Sequence, residues 1–320
     1  MALHRTALQR PADTAPDRLP RNKGRARAKA SDRPLWFMAP SGIVTTMVVL
    51  VPLGLAIFIS LIDLDQYTLR RWITAPFIGV QNYIEAITET PLLRSILISV
   101  ALALLVTLLS IPIGVTAALV THNRYRGLAV IRSMFLIPYV LPLFVVGSIW
   151  RAILQPDGAL NSALAALGIR SPLWLNGPGS FWSLVAAQTW NAWPFFYMLA
   201  LASLQTVPLE VHEAATLDGA SWSKKLWYVV LPHVRSSIAL ASLLGALNTI
   251  NNFSLAYVLF GSPAPTDVNV LPILTYATSF QSFRFGLSAA MAVGSLLLVL
   301  VPLLIYARAV RLDQGEGSSR

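Results

Sequence analysis

Charge is what this 320-residue sequence has least of: only 12% of its residues are Asp, Glu, Lys or Arg. Soluble domains carry about 25%. Cysteine is absent altogether, which excludes disulfides, thiolate metal sites and thiol nucleophiles. The four histidines, His4, His122, His212 and His233, are too scattered to build a metal centre. The dipeptide Gly-Lys never occurs, so there is no phosphate-binding P-loop. The acids Asp63, Asp65, Glu85, Glu89, Asp157 and Asp267 are dispersed, which argues against a membrane enzyme built on an acidic or histidine cluster. No catalytic residue and no metal ligand is therefore expected. What fills the chain instead is apolar: 55% hydrophobic residues and a mean hydropathy of +0.63, which also rules out a disordered chain.

Six runs are long enough to span a bilayer core, which takes about 20 apolar residues in a helix: 35–62, 95–120, 133–150, 181–204, 236–260 and 285–307. No charged residue falls inside any of them. A water-soluble helix would need a charged face, so the sequence predicts an all-α membrane protein with six transmembrane helices. Short cytoplasmic segments are enriched in Lys and Arg. Placing the N-terminus inside puts 18 of the 24 basic residues on the cytoplasmic side, so both termini are expected in the cytoplasm. The net charge of +10 then reports orientation, and nucleic acid is not expected as a partner.

Residues 1–34 form a basic cytoplasmic tail expected to be disordered, 35–311 the six-helix domain, and 312–320 a short C-terminal cytoplasmic tail. The apolar run after the first tail is too long for a signal peptide's hydrophobic region. The stretch 83–87 has helical spacing and is expected to lie along the membrane interface. The segment 151–180, rich in Gly, Pro and Asn, is expected to cap the outer mouth. The loop 205–235 is the longest on the cytoplasmic side and reads as two short helices. Pro208 starts one, Gly219 stops it, Ser221 caps the next, and Pro232 ends it. Ala214, Ala215 and Ala220 leave that surface small enough for a partner backbone to approach. A hairpin resting on the lipid headgroups would account for the same pattern.

Nothing in the spans supplies energy, since ion-coupled carriers place ionisable groups inside the bilayer. Uncharged polar residues do occur, and they are ordered. Gly245, Asn248, Thr249 and Asn252 stand at i, i+3, i+4 and i+7, on one helix face. Asn191 and Phe195 stand four apart, beside Trp190, Trp193 and Pro194. Amides and aromatic rings suit a neutral polyhydroxy ligand, with hydroxyls at its edge and C–H groups on its face. Amides also glue transmembrane helices together. Spacing alone leaves both readings standing.

The loop reads Val207-Pro-Leu-Glu-Val-His-Glu213-Ala-Ala-Thr-Leu-Asp218-Gly219-Ala, closing on Leu231-Pro232. It resembles the EAA loop of permease subunits in binding-protein-dependent ABC importers. Three further segments resemble the carbohydrate-uptake branch, typified by maltose, trehalose and glycerol-3-phosphate permeases. They are Phe77-x-Gly-x-x-Asn82-Tyr83, Phe135-Leu-Ile-Pro138-Tyr139 and Gly158-Ala-Leu-Asn161. The resemblance implies a bacterial inner-membrane, multi-pass subunit that is not an enzyme. It implies a second permease subunit as partner, two ATP-binding subunits below, and an extracytoplasmic solute-binding protein above. ATP and Mg would belong to those partners, with no cofactor on this chain. Glu213, Ala214, Ala215, Asp218 and Gly219 match the coupling motif that docks on the ATPase. The sugar-holding segments of maltose-type members match Asn191–Phe195 and Gly245–Asn252 here. Two departures stand out: Gly261-Ser262-Pro263 replaces the frequent Gly-Gly-Pro, and Phe260 replaces a Thr. The alternatives are a permease for a glycerophosphodiester or other non-sugar solute, and a stand-alone channel or facilitator.

Overall fold

Peptide groups in hydrocarbon find no water, so a spanning segment must close its own hydrogen bonds, and an open apolar chain does so as helix. The computed structural model obeys this. It describes residues 39–122, 125–206, 221, 228 and 231–317, and among these the only β-contacts are the isolated bridges Ile62–Phe77 and Asp65–Arg284. The described residues up to Leu50 and those from Val51 onward fall in separate units. In the first, α1 (Ala39–Thr45) runs into a π-helical turn (Thr46–Leu50), and the side chains of residues 40–50 are exposed.

The second unit is a helical bundle: α2 (Val51–Ser60), α3 (Gln81–Thr88), α4 (Leu92–His122), α5 (Leu128–Val140), α6 (Leu143–Leu154), α7 (Ala159–Ala166), α8 (Pro178–Leu204), α9 (Leu231–Asn251), α10 (Phe253–Phe260), α11 (Leu271–Phe280) and α12 (Phe285–Gly317). Three stretches are long and apolar enough to cross a membrane alone: Pro40–Ser60, Leu92–His122 and Phe285–Tyr306. Two bent pairs raise the number to five. The remaining run, 181–204, lies in the 27-residue α8, which is long enough to cross but carries more polar residues.

The run 133–150 is not one helix. Leu128–Val140 and Leu143–Ala166 meet at 91°. Leu141 precedes Pro142 and is extended, with ψ 136°, as a residue before proline prefers. The run 236–260 is broken as well, by 44°. There Asn252 leaves the helical region and caps α10, its side-chain oxygen accepting from the Leu255 amide at 3.2 Å.

The bundle is organised around α4 against α8. Where they pack, a Cβ on Gly114 would stand 2.7 Å from the Tyr197 amide nitrogen and 2.8 Å from Phe196 Cβ, so only glycine fits. One buried cluster joins Leu102 and Val106 of α4 to Leu184 and Val185 of α8 and to Leu255 and Leu259 of α10. A second joins Ala117 and Ala118 to Tyr197, Ala200 and Val234. The outward faces keep their leucines exposed, as lipid contact requires.

The segment after α2 is held by the Asn82-Tyr83 motif. Asn82 donates to the carbonyls of Ser60 and Ile62, both at 3.0 Å, and the Tyr83 and Ser60 hydroxyls pair at 2.6 Å. The Ser60 carbonyl is one that the end of α2 leaves without an intrahelical partner. Gly79, at φ +60°, lets Ile78 and Gly79 both donate to Leu61 O. The helical spacing at 83–87 falls within α3, where Ile84 and Ile87 are exposed. At its edge Arg284 grips Glu85 with both guanidinium nitrogens, and that bond raises the guanidinium pKa above its ordinary value.

Candidate functional site

A cavity of about 300 Å³ opens between α5, α8 and α9. Its α8 wall is Gln188, Asn191, Ala192 and Phe195, at i, i+3, i+4 and i+7 and hence on one helix face. Phe196 adds a neighbouring ring, α9 contributes Leu244, Gly245, Asn248 and Thr249, and α5 contributes Tyr139. No ionisable side chain other than the Tyr139 phenol lines it. Five of the six residues singled out by spacing, Asn191, Phe195, Gly245, Asn248 and Thr249, therefore share one wall system.

Asn252 stands apart from this cavity, at the break between α9 and α10, where its oxygen is committed to the cap. The coupling residues Glu213, Ala214, Ala215, Asp218 and Gly219 lie outside the described residues.

Each polar wall residue has its own account. Asn191 donates through Nδ2 to Pro138 O at 2.7 Å. That carbonyl would ordinarily take the amide hydrogen of residue 142, which is a proline and has none. Half of the Asn191 amide is thus structural, closing the gap left by the broken span, and its oxygen is left over. Gly245 serves packing: a Cβ there would meet Phe196 Cζ at 2.8 Å.

Gln188 was not marked by sequence. It is only 4% exposed, and its Nε2 has no hydrogen-bond partner among the described residues. A buried orphan amide costs about 1–3 kcal/mol, and such groups are rare in native structures without a functional reason. Its position three residues before Asn191 and seven before Phe195 was the available signal. Tyr139 was also missed, because its motif was read as a family mark. Its ring stacks on Phe195 with centroids 6.1 Å apart and planes 21° from parallel. Phe195 in turn meets Phe196 edge-on at 5.9 Å.

The lining combines aromatic rings with uncharged amides and a hydroxyl. It can bind a neutral, hydroxylated solute, and it holds no nucleophile or acid–base pair to transform one. Among the described residues no group of three or more His, Asp or Glu could hold a metal ion.

The other two motifs are structural. Asn161 donates to Gln155 O at 2.7 Å and accepts from the Trp174 indole at 2.8 Å. It ties the turn before α7 to the loop before α8.

Residues 110–312 match the family described as binding-protein-dependent transport system inner membrane component. The trehalose/maltose transport system permease protein MalF of Thermococcus litoralis is 28% identical over 241 residues, 74% of this chain and 80% of that one. The trehalose transport system permease protein SugA of Mycobacterium tuberculosis is 29% identical over 271 residues, 84% and 86% of the two chains. The sulfoquinovosyl glycerol transport system permease protein SmoG of Agrobacterium fabrum is 26% identical over 281 residues, 86% and 89%. In fold, a chain of a bacterial ABC transporter involved in alginate import superposes with a TM-score of 0.74 at 19% identity, over 87% of this chain and 94% of that one. With the matched segment covering well over half of its length, this chain belongs to the binding-protein-dependent transport system inner membrane components, and is a multi-pass transport permease.

Proposed function

We propose that this permease carries a neutral sugar or polyol, and that the cavity between α5, α8 and α9 is where it holds that solute. The observation that carries the reading is the unpartnered, buried amide of Gln188, a residue that lines the same cavity as the Tyr139–Phe195 stack. Aromatic faces suit the C–H surface of a pyranose, and Gln188, the Asn191 oxygen, Asn248 and Thr249 suit its hydroxyls. Relatives named for trehalose and maltose support the same class. An ionic solute would be better served by a fixed counter-charge, and the lining has none. Gly245 takes part by admitting Phe196, and Asn252 by fixing the bend that aims α9 at the cavity.

The remaining architecture follows the family. Six spans with both termini in the cytoplasm pair with a second permease subunit, two ATP-binding subunits and an extracytoplasmic solute-binding protein. Glu213, Ala214, Ala215, Asp218 and Gly219 dock on the ATPase, where ATP and Mg are bound, and transmit its closure as alternating access. Glu213→Lys is expected to abolish uptake while the chain still reaches the membrane; normal uptake would refute the coupling role.

Uptake of labelled solutes by cells with and without this chain tests the substrate class. The panel holds neutral disaccharides, polyols, glycerophosphodiesters and amino acids. Loss confined to a neutral saccharide or polyol is the expected result. Loss confined to an ionic solute would overturn the reading.

A further inference from the structure

A second feature, remote from the solute cavity, sits where α4 begins. Leu97, Ile98 and Ala101 of α4, with Pro178 and Phe181 of α8, line an open groove of about 390 Å³ whose rim is formed by Arg94 and Asp267. The rim charges pair at 3.0 Å through one guanidinium nitrogen and one carboxylate oxygen, with side chains 57% and 32% exposed. An exposed pair of this kind adds little to stability, and further N–H groups of Arg94 and the second oxygen of Asp267 are open to a ligand.

Below the rim the groove is carbon-lined, and it leads into an exposed stripe on α4: Leu97, Leu104 and Leu108, each more than 60% exposed. These stand at i, i+7 and i+11, on one helix face. From Leu97 to Leu108 the helix rises about 17 Å, close to the roughly 15 Å depth of one leaflet. Position along the helix thus orders the chemistry, with one positive and one negative group at the boundary and a hydrocarbon track beneath.

We propose that this groove binds a single zwitterionic phospholipid. Its phosphate lies against Arg94, its ammonium against Asp267, and one acyl chain along Leu97, Leu104 and Leu108. The charge pattern selects a headgroup carrying both signs: an anionic headgroup would satisfy Arg94 and be repelled by Asp267.

The test uses the full chain extracted in mild detergent with the subunits it assembles with, by native mass spectrometry. Phosphatidylethanolamine and phosphatidylglycerol are added in equal amounts. The wild-type complex should retain phosphatidylethanolamine in preference. Removing both charges with Arg94→Ala and Asp267→Ala should cut that retention by at least about fivefold, given the size of a single headgroup–charge contact. Arg94→Gln with Asp267→Asn keeps a polar contact across the rim and hence the fold, and should show the same loss. Ala101→Trp, which fills the floor, should release the lipid with both rim charges intact. Equal retention of the two lipids by the wild type would overturn the proposal, as would unchanged retention in the charge-free variants. Cross-linking of the Leu97→Cys variant to another subunit would also overturn it, by making the groove a protein interface.

Discussion

Replacing Gln188 with leucine should make the protein more stable and a poorer transporter, and that combination separates a ligand site from helix glue. Gln188 is 4% exposed and its Nε2 finds no partner among the described residues. An apolar side chain of similar length removes that buried orphan, a gain of about 1–3 kcal/mol. If the same amide bonds a solute hydroxyl, the variant loses one neutral hydrogen bond, about 0.5–1.5 kcal/mol net. That corresponds to roughly 2- to 13-fold weaker binding. The assays are thermal unfolding of the detergent-solubilised complex and initial uptake rates in proteoliposomes at subsaturating solute. A rise in unfolding temperature with a severalfold fall in uptake is expected. Lower stability with unchanged uptake would refute the reasoning, because it would mean that Gln188 holds helices together.

Gly114→Leu should prevent the chain from accumulating in the membrane. Its Cβ would stand 2.7 Å from a backbone nitrogen that cannot move alone, and such overpacking costs about 1–3 kcal/mol or more; immunoblotting of membrane fractions checks this. Asn82→Leu strands the carbonyl of Ser60, while that of Ile62 keeps the Leu64 amide at 3.1 Å. It should cost about 1–3 kcal/mol, the penalty of one buried orphan, read as a lower unfolding temperature of the purified protein. The Asp65 carboxylate accepts from the Thr68 and Tyr67 amides, and the Thr68 bond foremost holds its pKa below the usual carboxylate range. A lowered folded pKa gives stabilisation that is present above the ordinary value and lost as pH falls through the folded one. Hydrogen exchange at residues 67–71 should therefore quicken in Asp65→Asn at neutral pH, and the difference should vanish in strong acid. A difference that persists in acid would contradict this.

Much of the fold was legible because lipid is an exacting solvent. Charge-free runs mark helices, and the runs near α4 and α12 are straightforward helices in the structure. The two bent runs were not legible from hydropathy, which averages over the residue that breaks them. Pro142 ends α5 through its neighbour's backbone and its own missing amide hydrogen, and Asn252 ends α9 by becoming a cap. Neither residue alters the apolar content of its run. The polar stripe on α9 was legible as spacing, yet spacing could not say that Asn252 turns away into a cap while Asn248 and Thr249 line a cavity. Asn191 is glue through its nitrogen, which bonds Pro138 O, and it also stands in the cavity wall. Gln188 escaped notice because a lone amide among apolar and aromatic residues has no pattern until its lack of a partner is seen.

The central claim is that a neutral hydroxylated solute occupies the space between the Tyr139–Phe195 stack and Gln188. A structure of the assembled transporter trapped with its solute tests it most directly. The account predicts sugar-shaped density with a ring face against Phe195 or Tyr139 and a hydroxyl within hydrogen-bonding distance of Gln188 Nε2. Density lodged elsewhere along the pathway, with Gln188 bonded only to protein, would contradict it.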